Sequence, residues 1–511
     1  MRFERSIGIR SSVILIPAFL VLSIGLLSAL ALLFTLDPLG IGVVHDSFFY
    51  LSGAENLRAG NGLVWNAGGE QLRPLVHFPP GYSAVLAVLG GALTSMFAAA
   101  SSVQAAALAA TIVLVGALIF LGSGNRRVSV LGAAVAATSP ILFERYLDIR
   151  SEPIFLVSLL GSIAALLRYL QTNDRRFLWG AGALAAASGL FRYAGLAVMG
   201  SGILTIVILQ PGSMRQRIGA AIRFAAIPTA IFVMLALRNF YVSGSVTNRV
   251  LAYHPPGLAT FRQGAASISE WIMPPDFDPV IRLFVIATVG AGAALVVWFR
   301  KGGTRLLTIL AIYSLVYAGS LIFSLTYFDA SIRLDNRMLV PLYLFFLLGT
   351  FTVLGKAKLP IAPAAVVLLA IMLVYASRTK GLITSTRSQG RGFASKAWQS
   401  SPTIELLKSS IPSGAVYSNE AQALYVLLGI SAYPAPERTD PVKGVQRAEY
   451  ESQLTEMRSR LVAPGSALVL FHPDQLREGM PTLAELTSSL FLADRTPDGA
   501  IYVDPSSTSQ P

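Results

Sequence analysis

Apolar stretches recur along most of this chain, from residue 12 to about residue 378. Each is about 20 residues long, the length that a helix needs to cross the hydrocarbon core of a bilayer. Only 13% of the residues are charged, roughly half of what a soluble domain carries. The pattern predicts a polytopic α-helical membrane protein and excludes a soluble fold for this part of the chain.

The first apolar run, residues 12–34, is too long for the core of a cleavable signal peptide and lacks a small-residue cleavage site. It is therefore interpreted as a signal anchor that stays in the protein. The chain has no cysteine, which excludes disulfides, thiolate metal sites and cysteine nucleophiles.

The net charge of +13 would fit a nucleic-acid-binding protein, but its distribution does not. Residues 379–511 carry 12 basic and 13 acidic side chains, whereas residues 1–378 carry 28 and 14. The basic excess lies in short turns between apolar runs, as the positive-inside rule predicts for membrane proteins. The expected partner is therefore the lipid bilayer and not nucleic acid.

These turns also predict the topology. The proposed inner segments hold 15 basic residues against two acidic ones, with the amino terminus inside and the carboxyl terminus outside. Residues 81–98 are interpreted as a helix on or re-entering the membrane, because a full span there would invert every later loop. About eleven spans are predicted, at residues 12–35, 102–122, 128–143, 153–170, 177–191, 194–210, 218–237, 280–299, 304–326, 338–355 and 361–377.

The chain is thus predicted to have two domains. Residues 1–380 form the membrane domain, whose first outer loop covers residues 36–100. Residues 388–511 have soluble composition, and the β-like runs GAVYS, SALVLF and GAIYV alternate there with helical patterns. That alternation predicts a small extracytoplasmic α/β domain.

The predicted outer loops collect ionisable and aromatic residues, beginning with Asp46 in the polar stretch 37–82. Ionisable groups at membrane depth are costly and are functional candidates by default. Alternatively, single arginines extend to lipid headgroups, although positive-inside bias disfavours arginines outside. The outer set comprises His45, Asp46, His77, Glu144, Arg145, Asp148, Arg150, Glu152, Arg192, Tyr193, Arg238, Asn239, Tyr253, His254, Tyr327, Asp329, Arg333, Asp335, Asn336 and Arg337.

This combination indicates a site for an anionic, lipid-linked headgroup with acid/base chemistry. The planar fork of arginine suits phosphate, and a lone aspartate can act as general base on an acceptor hydroxyl. The chain contains no Walker A loop, HExxH motif or GxSxG elbow. A metal site at His45 and His77 is a weaker interpretation than two ordinary histidines, so no cofactor is expected, and a divalent metal is allowed without being required.

Several segments taken together resemble the GT-C superfamily of bacterial integral-membrane glycosyltransferases. They are similar to the branch with protein O-mannosyltransferases (glycosyltransferase family 39) and the aminoarabinose transferase of lipid A. The resemblance covers about residues 10–355 and rests on HDSFFYLSGAENLRAGNGL, HFPPGYSAVLAVLG, SEPIFLVSLLGSIAALLRYL, LFRYAGLAVMG, the RN after the seventh span and DNRMLVPLYLFFL. It implies an enzyme of the cytoplasmic membrane that transfers a sugar from a polyprenyl-phosphate donor on the outer face, usually with inversion.

The resemblance also implies roles for individual residues. Asp46 matches the catalytic base, and Glu152 lies near the second acidic position, with Asp148 as the alternative. Further candidates for substrate binding are His45, His77, Arg145, Arg150, Arg192, Tyr193, Arg238, Tyr327, Arg333 and Arg337. The acceptor is open between a glycan, a lipid and a protein. YSNEAQALYVLLG in the tail also looks family-like, without an assigned role.

Two other classes of function are considered. A secondary transporter or flippase of lipid-linked sugars predicts charges in mid-span and two similar halves with broken helices, and the sequence shows neither. The charges nearest to mid-span are Arg168 and Arg282. A structural or assembly subunit would not need the acids and arginines of the outer loops.

Overall fold

The computed structural model describes residues 4–93, 95–247, 249, 251–299, 304–357, 361–440, 442–443, 445–477 and 479–508. Its helices are α1 Glu4–Leu36, α2 His45–Arg58, α3 Gly81–Ala92, α4 Met96–Ser123, α5 Arg126–Thr138, α6 Pro140–Glu144, α7 Glu152–Thr172, α8 Arg175–Phe191, α9 Gly195–Leu209, α10 Met214–Ser243, α11 Leu258–Ser269, α12 Pro279–Phe299, α13 Arg305–Tyr327, α14 Asn336–Lys356, α15 Ile361–Gln389, α16 Lys396–Gln399, α17 Pro402–Ser409, α18 Ala421–Leu428, α19 Tyr450–Leu461 and α20 Leu483–Thr487. Its strands are β1 Val64–Gly68, β2 Gln71–Pro74, β3 Val416–Ser418, β4 Tyr433–Pro434, β5 Thr439–Asp440, β6 Val445–Gln446, β7 Ala467–Phe471, β8 Phe491–Arg495 and β9 Gly499–Val503.

The predicted class of multi-pass helical membrane protein is confirmed. Within the described residues, seven helices are long and apolar enough to cross a bilayer, namely α1, α4, α7, α10, α13, α14 and α15. Each predicted span lies on one of the helices or, for residues 128–143, on α5 and α6 together. Several of these helices are too short to count as spans by length alone, so the number eleven stays a prediction.

The segment at residues 81–98, predicted as a surface or re-entrant helix, forms its own short helix. The helix α3 ends at Ala92 and α4 begins at Met96, where the Ser95 side chain accepts a hydrogen bond from the Ala98 amide. A serine that caps the first turn in this way marks a helix start. Residues 81–98 are therefore not one continuous span, and α3 packs instead against α2 and α4.

The turns that were predicted to lie inside gather at one end of the helical domain. The side-chain amide of Gln210, after α9, lies 3.4 Å from the side chain of Asn173, after α7. Asn125, after α4, donates to the carbonyl of Gly355 near the end of α14 over 3.5 Å. The predicted outer loops and the C-terminal domain meet at the opposite end, as the contacts described below show.

The predicted first outer loop contains α2 and a β-hairpin, β1–β2, that the sequence did not predict. The hairpin turns at Gly68 and Gly69, whose φ angles of 125° and 53° are in the region that favours glycine. Ser47 closes the start of α2, because its hydroxyl accepts from the Val44 amide and donates to the Ile149 carbonyl. The loop is thereby fixed against the segment that precedes α7.

The predicted α/β character of the tail is confirmed. Its five-stranded sheet has the order β4-β3-β7-β9-β8, parallel between β4, β3 and β7 and antiparallel at β9 and β8. The predicted runs GAVYS, SALVLF and GAIYV contain β3, β7 and β9. Along β7, Val469 packs with α17 and α18 on one face, and Leu468 packs with α19 on the other, so helices cover both faces.

Candidate active site

Asp46 lies in the first turn of α2 and shares one arginine with a second carboxylate. The Arg337 guanidinium donates through Nη2 to Asp46 Oδ2 and through Nε to Glu152 Oε1, the latter over 2.5 Å. Asp335 fixes the start of α14 beneath this arginine, since its carboxylate caps the amides of Arg337 and Met338. Two carboxylates from distant parts of the chain therefore flank a single guanidinium.

Glu152 is held by a second arginine. It is the first residue of α7, is only 3% exposed, and its Oε1 lies 2.6 Å from Nη1 of Arg192. Burial works to lower the pKa of Arg192, but the Glu152 carboxylate, together with smaller contributions from Tyr50 and Tyr317, raises that pKa above its ordinary value, so Arg192 stays cationic. We call Asp46, Glu152, Arg192 and Arg337 the Asp46 cluster.

The Asp46 cluster is balanced in charge and open on one side. The side chain of Asp46 is 27% exposed, whereas that of Glu152 is 4% exposed. Arg337 occupies the position between the carboxylates that a divalent ion would take if both were its ligands. Over the part of the chain that the structure describes, no three His, Asp or Glu side chains are grouped for metal binding.

Aromatic rings form the wall behind Asp46. The Tyr50 ring lies 4.9 Å from that of Tyr82, and the His77 ring lies 5.0 Å from that of Phe49. Burial, reinforced by the positive charge of Arg249, lowers the pKa of His77 to about 4, so this imidazole is neutral at pH 7. His77 therefore contributes shape and not charge.

Asp148, the alternative second acid, lies in a different group of charges. Nε of Arg391 donates to Asp148 Oδ1 over 2.9 Å, and Nη2 of Arg391 donates to Glu144 over 3.4 Å. Arg150 approaches Asp148 to 3.6 Å from the other side, and Arg145 pairs with Glu144. The structure thus brings Glu152, and not Asp148, to the arginine that binds Asp46.

Arg391 was not predicted, although the glycines beside it are a signal. Gly390 and Gly392 have φ angles of 71° and 54°. Gly392 forms a bridge with Val43, and a Cβ on Gly392 would lie 2.0 Å from the Val43 carbonyl oxygen, which only glycine permits. We call Glu144, Asp148 and Arg391, with the backbone bridges at residues 42–43, the Arg391 clamp.

Two predicted binding residues hold the first loop instead of projecting from it. Arg238 donates to the carbonyls of Leu75 and Leu63 over 2.7 and 2.8 Å. Tyr193 donates to the Val76 carbonyl over 2.6 Å. These contacts bind the loop to the ends of α8 and α10, so both side chains position the wall of the site.

The other candidates lie farther from the Asp46 cluster or on its rim. His45 is half exposed and its Nε2 lies 3.0 Å from Glu420 of the C-terminal domain. Tyr327 packs against Tyr253 with ring centres 5.7 Å apart, and Arg333 is exposed.

The C-terminal domain is attached to the same end at several points that the sequence did not indicate. Besides the His45–Glu420 pair, the Tyr425 hydroxyl contacts Glu55 on α2. The Ala330 amide, in the loop before α14, donates to the Val442 carbonyl over 2.9 Å. The segment YSNEAQALYVLLG, which had no assigned role, provides the contacts to α2 and therefore lies beside the site.

No known family model matches the chain, and no curated protein sequence is similar to it. Solved structures are similar in fold. ArnT from Cupriavidus metallidurans, bound to undecaprenyl phosphate, has a TM-score of 0.61 and 12% identity, covering 95% of this chain and 98% of that one. An oligosaccharyltransferase from Archaeoglobus fulgidus, in a complex with Zn and sulfate, has a TM-score of 0.51 and 13% identity, covering 95% of this chain and 73% of that one. The arabinofuranosyltransferase AftD from Mycobacteria has a TM-score of 0.53 and 16% identity, covering 95% of this chain and 42% of that one. This chain therefore has the fold of the GT-C superfamily of membrane glycosyltransferases.

Proposed function

We propose that this protein is a membrane glycosyltransferase that moves a sugar from a polyprenyl-phosphate-linked donor to an acceptor hydroxyl. The observation that carries the proposal is Arg337, which joins Asp46 to Glu152 where the predicted outer loops converge. The donor class is supported by ArnT, a protein of the same fold that is bound to undecaprenyl phosphate.

Asp46 acts as the general base. Its exposed side accepts the proton of the acceptor hydroxyl while the acceptor oxygen bonds to the anomeric carbon of the donor. The bond between that carbon and the phosphate oxygen breaks, and its electron pair leaves with the polyprenyl phosphate. Attack from the face opposite to the leaving group inverts the anomeric carbon.

The arginines orient the base and stabilise the leaving group. Arg337 holds Asp46 through one nitrogen, and Arg192 is fixed by the same Glu152 carboxylate. Both arginine side chains are about one-fifth exposed, so they can meet the phosphate on which charge develops. Glu152 is a positioning residue in this scheme, because it contacts the arginines.

The chemistry does not require a metal. A divalent ion would serve to stabilise charge on the leaving phosphate, and here the cation between the two carboxylates is already Arg337. A lipid phosphate is also a good leaving group without such help.

We place the site on the outer face of the bacterial cytoplasmic membrane, with the amino terminus inside. The support is geometric, because the predicted outer loops and the C-terminal domain meet at one end and the arginine-rich turns at the other. The positive-inside rule then assigns the arginine-rich end to the cytoplasm.

A transport function is less well supported. The two charges closest to mid-span belong to helix ends: Arg168 lies in the last turns of α7, and Arg282, near the start of α12, is 3.7 Å from Glu270. A substrate path through the membrane would instead need ionisable groups within the spans.

The test is Asp46→Asn in membranes whose polyprenyl phosphates carry a labelled sugar. Removal of the base is expected to lower transfer by about 10²–10⁴-fold. Asp37→Asn is the matched control, since Asp37 is an exposed acid of the same loop. Transfer by Asp46→Asn at the wild-type rate would overturn the assignment.

A further inference from the structure

A cavity of about 380 Å³ lies between the first outer loop and the C-terminal domain. It is separate from the Asp46 cluster, and the function proposed above does not use it. One wall is α2 with the hairpin β1–β2, and the other is formed by β3, β4, α18 and α19. Its volume is within the range of about 300–1,000 Å³ that is usual for small-molecule sites.

Aromatic faces line this cavity on both sides. On the loop side, the Trp65 ring packs 5.0 Å from that of Phe49. On the domain side, Tyr417 and Tyr433 are stacked with ring centres 5.0 Å apart, and the guanidinium of Arg460 lies 4.5 Å from the centre of the Tyr433 ring. These aromatic side chains give both walls an apolar surface that suits a ligand with C–H groups.

Charged pairs supply the polar contacts. Arg460 binds Glu456 over 2.6 Å, and Arg447 binds Glu437 over 3.2 Å. Each pair offers planar donors beside a carboxylate acceptor, the arrangement that adjacent hydroxyl groups need. With every acid paired, the wall shows no unbalanced negative charge.

Two buried polar atoms at the cavity have no hydrogen-bond partner within the described residues, namely Nε of Arg447 and Oγ of Ser431. Buried polar groups are nearly always hydrogen-bonded, because leaving one unpaired costs about 1–3 kcal/mol. Both residues line the cavity, so its wall holds polar groups whose hydrogen bonds are not completed within the protein.

The cavity begins one helical turn from the proposed base. Phe49, which lines it, follows Asp46 by three residues on α2, a rise of about 4.5 Å along the axis. A ligand in the cavity can thus be part of the molecule whose hydroxyl meets Asp46.

We propose that this cavity binds the acceptor, and that the acceptor is a saccharide. Aromatic faces together with paired acids and arginines match a sugar ring, which has C–H faces and a rim of hydroxyls. Addition of a peptide strand beside β4 is disfavoured, because the hairpin contacts the segment just before β4, where the Gly69 amide donates to the Ser431 carbonyl over 2.6 Å. Identifying the bound saccharide as the acceptor rests on the glycosyltransferase function proposed above.

The experiment uses the full-length protein in detergent micelles and a panel of methyl glycosides and methyl disaccharides of common hexoses and pentoses. Saturation-transfer NMR reports which sugars bind, without any donor present. We expect at least one glycoside to be saturated by the wild-type protein. Gln453→Trp, which fills the cavity from α19, should weaken that signal by about tenfold, the equivalent of 1.4 kcal/mol.

Glu451→Gln is the matched control, because Glu451 is an exposed residue of the same helix outside the cavity. Glu456→Gln, which removes one acceptor of the wall without adding bulk, should also weaken the signal and covers the case in which Gln453→Trp does not fold. No saturation by the wild-type protein, or saturation that survives both cavity variants, would overturn the proposal. The glycosyltransferase function is tested independently, by measuring donor turnover by Asp46→Asn, so failure of that proposal can be distinguished from failure of this one.

Discussion

The Asp46 cluster and the Arg391 clamp are built from the same residue types at the same end of the molecule. In each, one arginine joins two carboxylates: Arg337 reaches Asp46 across 291 residues, and Arg391 reaches Asp148 across 243. They differ in what surrounds them. The clamp is accompanied by backbone bridges from Gly42 to Asp148 and from Val43 to Gly392, whereas Asp46 starts a helix with its side chain partly open.

This difference supports a structural role for the clamp beside the chemical role proposed for the cluster. The Asp148 side chain is 6% exposed and receives two hydrogen bonds from Arg391, so no substrate proton can reach it. Asp46 has 27% of its side chain exposed. A buried ion pair contributes little net stability compared with apolar packing, but it fixes which segments pair. The clamp therefore sets the position of the loop, and the cluster uses that position.

Among the variants that compare the two groups, the largest effect is expected from Arg337→Lys. A single ammonium cannot replace the two nitrogens that Arg337 directs to two carboxylates, so the orientation of Asp46 and the charge that faces the phosphate are both lost. We expect transfer, measured as kcat/KM in membranes, to fall by about 10²–10³-fold. Arg127→Lys is the control, since Arg127 is also the second residue of a helix, α5, at the opposite end. Near-normal transfer by Arg337→Lys would contradict the chemical role of the Asp46 cluster and leave it with the same structural role as the Arg391 clamp.

A smaller effect of a different kind is expected from Arg391→Met. It leaves Asp148 buried without its main partner, which should lower the free energy of unfolding by about 1.5–3 kcal/mol. The midpoint of thermal unfolding should fall, while turnover per folded molecule falls less than in Arg337→Lys. Asp148→Asn should produce the same shift, and the double variant should show less than the sum. A turnover defect as large as that of Arg337→Lys, at normal stability, would place the clamp in the chemistry.

The attachment of the C-terminal domain is tested by Gly68→Ala. A Cβ there would lie 2.2 Å from the Tyr433 ring, and the φ angle of 125° is unfavourable for alanine, so the hairpin should separate from β4. We expect faster hydrogen exchange at the hairpin and at β4. Gly60→Ala is the control, because Gly60 has a φ of 82° with nothing within 4 Å of a Cβ, leaving a backbone cost of about 1–2 kcal/mol. Equal exchange in the two variants would show that Tyr433 is not held by close contact.

The smallest effect is expected from chelation. Because Arg337 supplies the cation of the Asp46 cluster, transfer should be the same with and without EDTA. The measurement is the initial rate in membranes washed with the chelator. Loss of activity that Mg²⁺ or Mn²⁺ restores would show that a metal, and not Arg337, provides this charge.

Much of the fold could be predicted from local patterns. The length of the apolar runs predicted the helices, and the basic turns between them predicted which loops lie at each end of the helical domain. The alternation of β-like runs with helical patterns in the tail predicted three strands of its sheet. The hairpin β1–β2 was missed because its strands are short and lie in a segment rich in turn residues. Its Gly68–Gly69 pair was identified only as turn chemistry.

The partners within the site could not be predicted in this way. Asp46, Glu152, Arg192 and Arg337 were all candidates, but a sequence pattern does not state which carboxylate meets which arginine across 291 residues. Asp148 and Glu152 are four residues apart and look alike as acids, and only the contact between the first turns of α7 and α14 separates them. Arg391 and Glu420 lay beyond the part covered by the resemblance.

The link between His45 and Glu420 has a consequence for how the protein is made. The two residues are 375 positions apart, so at about 5–20 residues per second the ribosome needs tens of seconds to supply Glu420 after His45. Throughout that interval Asp46, the proposed base, lacks the neighbouring contact that Glu420 makes with His45. The contact between α2 and the C-terminal domain therefore forms only after synthesis has passed the last predicted span.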